Sequence, residues 1–227
     1  DIILNAHVER ISHHENQVQV HSEHAQLAVD ALLIASGRQP ATASLHPENA
    51  GIAVNERGAI VVDKRLHTTA DNIWAMGDVT GGLQFTYISL DDYRIVRDEL
   101  LGEGKRSTDD RKNVPYSVFM TPPLSRVGMT EEQARESGAD IQVVTLPVAA
   151  IPRARVMNDT RGVLKAIVDN KTQRMLGASL LCVDSHEMIN IVKMVMDAGL
   201  PYSILRDQIF THPSMSESLN DLFSLVK

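Results

Sequence analysis

Phe210-Thr211-His212-Pro213-Ser214-Met215-Ser216-Glu217 sets an imidazole and a carboxylate five positions apart. Proline pushes the residue before it toward extended backbone, so His212 is held on a constrained stretch and not on a helix. A carboxylate beside an imidazole fixes its tautomer and stabilises the imidazolium, which is what a general acid/base needs. The same string has a plainer use, because Ser214-x-x-Glu217 is spaced as a capping box and predicts a terminal helix over residues 214–223. A second candidate is Gly77-Asp78, at the end of the apolar run Ile73-Trp74-Ala75-Met76. Glycine there lets backbone come close to a ligand, and the carboxylate can accept from the ligand's hydroxyls; as a bare dipeptide it is equally a turn after a strand. Cys182 is the single cysteine, unable to form an internal disulfide or a CxxC site, and in an apolar strand it reads as a small buried hydrophobe. The nine histidines, among them His13, His14, His21 and His24, are read as parts of a polar hairpin, and no metal is expected.

These residues need elements to position them. Ile3, Val18, Val20, Leu27 and Val29 alternate with polar residues and predict strands. The short apolar runs Ala31-Leu32-Leu33-Ile34-Ala35, Ala59-Ile60-Val61-Val62 and Ile73-Trp74-Ala75-Met76 predict further strands, the first of them buried and broken by Ser36-Gly37-Arg38-Gln39-Pro40. Residues 85–101 read as a helix ended by Gly102 and Gly104. Residues 105–113 (KRSTDDRKN) hold six charges and no aliphatic side chain, which marks a domain boundary. Beyond it, strands are expected over 114–120, 126–129, 141–147, 163–169 and 175–183, with a short helix over 130–137 capped by Thr130. A stronger helix is expected over 184–198, with Met188, Ile191, Val192 and Val195 at helical spacing. Ile189 and Met196 extend its apolar surface to a second flank, more than a small domain is expected to cover alone, and this motivates dimerisation.

Of 227 residues, 43% are hydrophobic and 22% charged, enough for a core and against disorder. No apolar run reaches the roughly 18 residues a spanning helix needs. A net charge of −7, from 22 Lys+Arg and 29 Asp+Glu, argues against non-specific nucleic-acid binding. The lone cysteine and the lack of a signal-peptide pattern fit a reducing cytoplasm. Asp1 already lies in a strand-like run with no initiator Met, so the chain is expected to be a piece of a longer protein.

The longer string Thr68-Thr69-x-x-x-Ile73-Trp74-Ala75-Met76-Gly77-Asp78-Val79 resembles the second flavin-contact segment of the flavoprotein reductases with two dinucleotide domains. That family includes dihydrolipoamide dehydrogenase, glutathione reductase and mercuric reductase, and the resemblance implies that Asp78 accepts a hydrogen bond from the ribityl chain of FAD. Leu33-Ile34-Ala35-Ser36-Gly37-Arg38-Gln39-Pro40 is similar to the segment where these reductases leave the NAD(P)H domain, about forty residues before Gly77 as the family spacing requires. Gly58-Ala59-Ile60-Val61-Val62-Asp63 resembles the strand preceding the flavin segment. Residues 210–217 resemble the family's His-Pro motif, which implies His212 and Glu217 as the catalytic pair; a second His often stands where this chain has Phe210. Val118-Phe119-Met120-Thr121-Pro122-Pro123 and Val127-Gly128-Met129-Thr130-Glu131 resemble the opening of the dimer-interface domain, with Pro123 where Glu is common. Phe85-Thr86-Tyr87-Ile88-Ser89 is similar to the mercuric-reductase branch, but that branch lacks the His-Pro motif, and this chain has no C-terminal vicinal Cys pair. Taken whole, the resemblance is strongest to a bacterial branch associated with reactive chlorine resistance and copper(II) reduction.

The resemblance implies an α+β interface domain over residues 113–227, with an antiparallel sheet and flanking helices. Before it would lie the end of an NAD(P)H-binding domain (1–40) and a returning segment of an FAD-binding domain (41–112). No G-x-G-x-x-G follows a strand anywhere, and the family's redox cysteine pair is missing. FAD and NAD(P)H are therefore expected in the intact protein, with no cofactor and no activity in this piece alone. Expected partners are a second copy, through residues 113–227, and a small disulfide or metal-ion acceptor such as copper(II); neither nucleic acid nor membrane is expected. Two readings stay open: an FAD-dependent NAD(P)H oxidoreductase of redox homeostasis or oxidant resistance, and a non-catalytic dimerising α+β module whose His-Pro string is only a helix cap.

Overall fold

The histidine-rich start of the chain folds, in the computed structural model, into an antiparallel meander of β1 (Val8–His14), β2 (Gln17–Ser22) and β3 (Gln26–Val29). The structure describes residues 1–23 and 25–227, so the hairpin reading of His24 lies outside the described residues. The register Ile11↔Val20↔Leu27 and His13↔Val18↔Val29 sets one apolar-rich face. On the other face Arg10 and Ser12 reach His21 Nε2, at 3.2 and 3.4 Å. Among the described residues no group of three or more His, Cys, Asp and Glu side chains could hold a metal ion.

Residues 1–104 form one unit and residues 105–227 another. In the first, the three apolar runs expected as strands are not strands. The run 31–35 belongs to no ladder among the described residues, and Leu33 and Ile34 are 88% and 72% exposed. The other two runs make only single antiparallel bridges, Val54↔Ile60 and His67↔Trp74. A run that is apolar on both faces becomes a buried strand only where strands flank it and layers cover it, and among the described residues of 1–104 no strand ladder flanks these three runs. Ala59, Ile60, Leu66 and Ala75 are buried nonetheless, as are Ile88 and Ile95 on α1 (Thr86–Leu101).

The second unit is built on a five-stranded sheet of β4 (Tyr116–Val118), β5 (Leu124–Gly128), β6 (Ile141–Pro147), β7 (Val163–Asp169) and β8 (Met175–Leu181). Its order is β4-β5-β8-β7-β6, and every neighbouring pair is antiparallel. Its helices are α2 (Glu131–Glu136), α3 (Pro152–Val156), α4 (Ser185–Asp197), α5 (Ser203–Asp207) and α6 (Ser218–Ser224). This is the α+β arrangement expected from the sequence.

Alternation makes the core. Leu164, Ala166 and Val168 of β7 lie on one face with Val144 and Leu146 of β6, joined by Met188, Ile189 and Val192 of α4 and Leu219, Leu222 and Phe223 of α6. Burying each large aliphatic or aromatic side chain contributes about 1.5–3 kcal/mol. The expectation that α4 carries more apolar surface than its own domain covers is corrected. Met188, Ile189, Val192 and Val195 are buried and Ile191 and Met196 partly so, because β5 and β8 lie along one flank and α5 meets another. Beneath the start of α4, Ser185 Oγ donates to the Pro123 carbonyl (2.8 Å). Its one hydroxyl hydrogen is thereby used, so Ser125 must donate to Ser185 (2.9 Å) and Ser117 to Ser125 (2.7 Å). This chain of hydroxyls ties β4 and β5 to α4 through fully buried Ser125 and Ser185. No helix among the described residues is long and apolar enough to cross a membrane.

Candidate functional site

His212 sits on the connection between α5 and α6. After α5 the chain turns extended at Gln208, with φ −72° and ψ 147°. Phe210 then packs against the core, while the preceding Ile209 side chain is 93% exposed. The peptide His212–Pro213 is cis, and Met215, buried at the end of the loop, anchors it to the core.

The terminal helix begins at Ser218 and not at Ser214. Ser214 Oγ accepts from the Glu217 N–H (3.2 Å), and the Met215 and Ser216 carbonyls accept from the N–H groups of Ser218 and Leu219 (3.1 Å each). Residues 214–217 are thus a tight lead-in turn ahead of α6. The Ser214 hydroxyl closes this turn, α6 itself has no side-chain cap, and the Glu217 carboxylate turns to the imidazole. His212 Nδ1 lies 2.8 Å from Glu217 Oε2 and 3.0 Å from Oε1. An ionised carboxylate gains more from such a bond than from a neutral backbone amide. With Nδ1–H donating to the carboxylate, Nε2 is the nitrogen left to exchange a proton with a reactant. The His212 side chain is 66% exposed and that of Glu217 30%, so the ring is open and its orienting partner is sheltered.

Asp78 lies in the other unit, on a 3-10 turn, Gly77–Thr80. Gly77 has φ +78°, and a Cβ there would meet Ser89 Oγ at 2.9 Å. Its N–H donates to Oδ2 of Asp92, a buried carboxylate on α1, at 2.7 Å. Thr80 Oγ1 donates to the Gly77 carbonyl (2.9 Å), and the Gly81 N–H to the Asp78 carbonyl (3.0 Å). The turn is therefore fixed at both ends, and Asp78 stands exposed on it. Sequence reasoning missed Asp92, whose signal was a carboxylate between the apolar helical positions Ile88 and Ile95.

Cys182 is buried, with Sγ 3.9 Å from Met188 Sδ. Burial, helped by the charges of Asp184 and Asp159, pushes its thiol from an ordinary 9.0 up to about 12. A thiol so held gives no thiolate near neutrality.

Two family models match the chain. The model for the pyridine nucleotide-disulphide oxidoreductases matches residues 1–92, and that for the dimerisation domain of the same proteins matches residues 114–223. The chain is 35% identical to a mercuric reductase of Staphylococcus aureus over 202 residues, covering 89% of this chain and 37% of that protein. A mercuric reductase of Bacillus cereus is 34% identical over the same share of this chain and 32% of its own length. One from Streptomyces lividans is 36% identical over 86% of this chain and 41% of its own. The chain thus spans a third to two fifths of the length of these relatives. Among solved structures, LpdA of Mycobacterium tuberculosis shares the fold, with a TM-score of 0.87 and 23% identity over 98% of this chain and 49% of LpdA.

Proposed function

This chain belongs to the pyridine nucleotide-disulphide oxidoreductases, and on that premise we propose that it is the C-terminal portion of an FAD-dependent NAD(P)H oxidoreductase acting in redox homeostasis or oxidant resistance. The domains run 1–40, 41–112 and 113–227, as the sequence suggests, and His212 with Glu217 is the acid/base pair. The observation that carries the reading is the Nδ1–carboxylate contact of 2.8 Å beside an open imidazole. When bound, FAD supplies the relay between NAD(P)H and a pair of redox thiols that these residues do not include. Here His212 holds or accepts a proton at Nε2 as a thiol ionises, and returns it when the thiol is re-formed. Glu217 keeps the ring in the tautomer that allows this and stabilises its charged form.

Asp78 fits one flavin contact, because an exposed carboxylate on a turn fixed by Asp92 and Gly77 suits a ribityl hydroxyl. One such bond contributes about 0.5–1.5 kcal/mol net, while the glycine-rich turn that seats a pyrophosphate on a helix N-terminus is not among these residues. The isolated 227-residue chain is therefore expected to purify colourless; co-purifying flavin absorbance would contradict this.

The acceptor is a small disulfide or a metal ion such as copper(II). Against a mercuric acceptor, suggested by the relatives' names, stands the His-Pro motif at His212-Pro213. The acting form is a cytoplasmic homodimer through residues 113–227, supported by the match to a dimerisation domain, with His212 serving the thiols of the other copy. Against the rival module reading stands the geometry of the turn: the Glu217 carboxylate faces His212, and no side chain caps α6.

The test is stopped-flow kinetics on the intact protein. Glu217→Gln is expected to slow reoxidation by disulfide or copper(II) roughly a hundredfold while leaving flavin reduction by NAD(P)H near normal. Slowed flavin reduction with normal reoxidation would return the motif to a structural cap. Running disulfide, copper(II) and mercuric ion as acceptors identifies the acceptor class.

A further inference from the structure

One residue on α6 bonds both ends of the segment that carries His212, one end through its backbone and the other through its side chain. The backbone N–H of Asn220 donates to the Glu217 carbonyl at 2.9 Å. Its side-chain Nδ2 donates to the carbonyls of Leu205 (2.8 Å), Arg206 (3.0 Å) and Gln208 (2.9 Å). Two N–H groups serve three acceptors, so at least one hydrogen is shared. The acceptors belong to the last turn of α5 and the residue after it, where helix carbonyls lack intrahelical partners, and Gln208 has already turned extended. The amide orientation is fixed by the same contacts, since a flipped group would set its oxygen against three oxygens. Between these two holds, the backbone of residues 209–213 makes no hydrogen bond to another backbone group among the described residues. Within the loop, Phe210 and Met215 pack against the core.

We infer that Asn220 is the positioning residue of the His212–Glu217 pair: by tying the α5 carbonyls and the Glu217 carbonyl to one point, it sets the span of the loop so that Nδ1 meets the carboxylate. The kinetic consequence rests on the acid/base reading proposed above; the hold on the loop does not.

The test uses the intact flavoprotein with Asn220→Asp, which keeps the shape but turns an oxygen toward the three carbonyls. Glu217→Gln and the double variant complete a cycle. The first readout is chymotryptic cleavage after Phe210, followed by mass spectrometry, and Asn220→Asp is expected to raise its rate about tenfold. The second is stopped-flow kinetics. Reoxidation by the acceptor is expected to slow about tenfold with an altered pH profile, flavin reduction by NAD(P)H to stay unchanged, and Asn220→Asp to add nothing once Glu217→Gln is present. Unchanged cleavage overturns the hold on the loop, and multiplicative slowing in the double variant overturns action through the pair. If Glu217→Gln alone leaves reoxidation unchanged, the acid/base reading fails, and cleavage still decides the role of Asn220. Should Asn220→Asp fail to fold, Asn220→Ser, which keeps one donor, is expected to give the same pattern at smaller size.

Discussion

Burial decides the chemistry of Cys182 more than its residue type does. The folded chain keeps a proton that the unfolded chain releases above 9.0, since the folded thiol titrates only at about 12. The unfolded state then binds fewer protons, so stability falls as pH rises between these values and is unaffected below them. Denaturant melts of the 227-residue chain and of Cys182→Ala are expected to diverge only above pH 9, by up to roughly 1.4 kcal/mol per pH unit in favour of the variant. A second local prediction concerns Gly77. Its φ of +78° and the 2.9 Å approach of Ser89 Oγ make Gly77→Ala cost about 1–3 kcal/mol, read as a lower melting temperature of residues 1–104. At this scale the sequence was most legible where partners are close along the chain. His212 and Glu217 stand five positions apart and meet, and Cys182 is the buried hydrophobe it reads as. Asp92 and Asn220 went unread: the helical spacing of Asp92 with Ile88 and Ile95 marks its burial but not its partner, and each residue bonds backbone groups 12 to 15 positions away, which no local pattern marks.

Elements formed where local signals and neighbours agreed. Thr130 Oγ1 accepts from the Gln133 N–H (3.0 Å) and Gln133 Oε1 from the Thr130 N–H (2.9 Å), a reciprocal box at the start of α2. Thr130→Ala is expected to cost about 1 kcal/mol, and thermal melts of residues 105–227 measure it. Strands β6 and β7 lie where their apolar alternation put them, and α4 where its helical spacing did. The runs 31–35, 59–62 and 73–76 show the opposite case, since apolar content says only that a segment wants cover. Whether a ladder forms depends on strands elsewhere, which no local window contains. Two short helices went unread, although Pro152 at the first position of α3 is a start signal; with five residues each, α3 and α5 offer too little periodicity to be seen.

At the scale of the whole molecule, the two units differ in how much apolar surface they bury for themselves. The contiguous core runs from Val127 to Val226, entirely within residues 105–227, whereas Leu33, Ile34, Leu90 and Leu101 of the first unit stay at least half exposed. Trypsin is accordingly expected to cut first at the lysines and arginines of 105–112, degrade the N-terminal unit and leave a resistant product over residues 113–227; survival of an N-terminal product instead would reverse that ranking. The strand order of the second unit also carries a kinetic message. β7 and β8 close through the short turn at Asp169, whose carboxylate accepts from the N–H groups of Lys171 and Thr172 (2.7 and 2.8 Å). β6 joins β7 from nearby in sequence, but β5 can reach β8 only by closing a loop of about fifty residues, which costs chain entropy before any contact rewards it. The β6-β7-β8 meander is therefore the natural folding nucleus and β4-β5 the late arrival. Leu164→Ala in β7 is expected to slow refolding, whereas Ser125→Ala in β5 chiefly hastens unfolding, a contrast read from the two arms of a chevron plot. The order in which this sheet assembles is thus written into its crossovers.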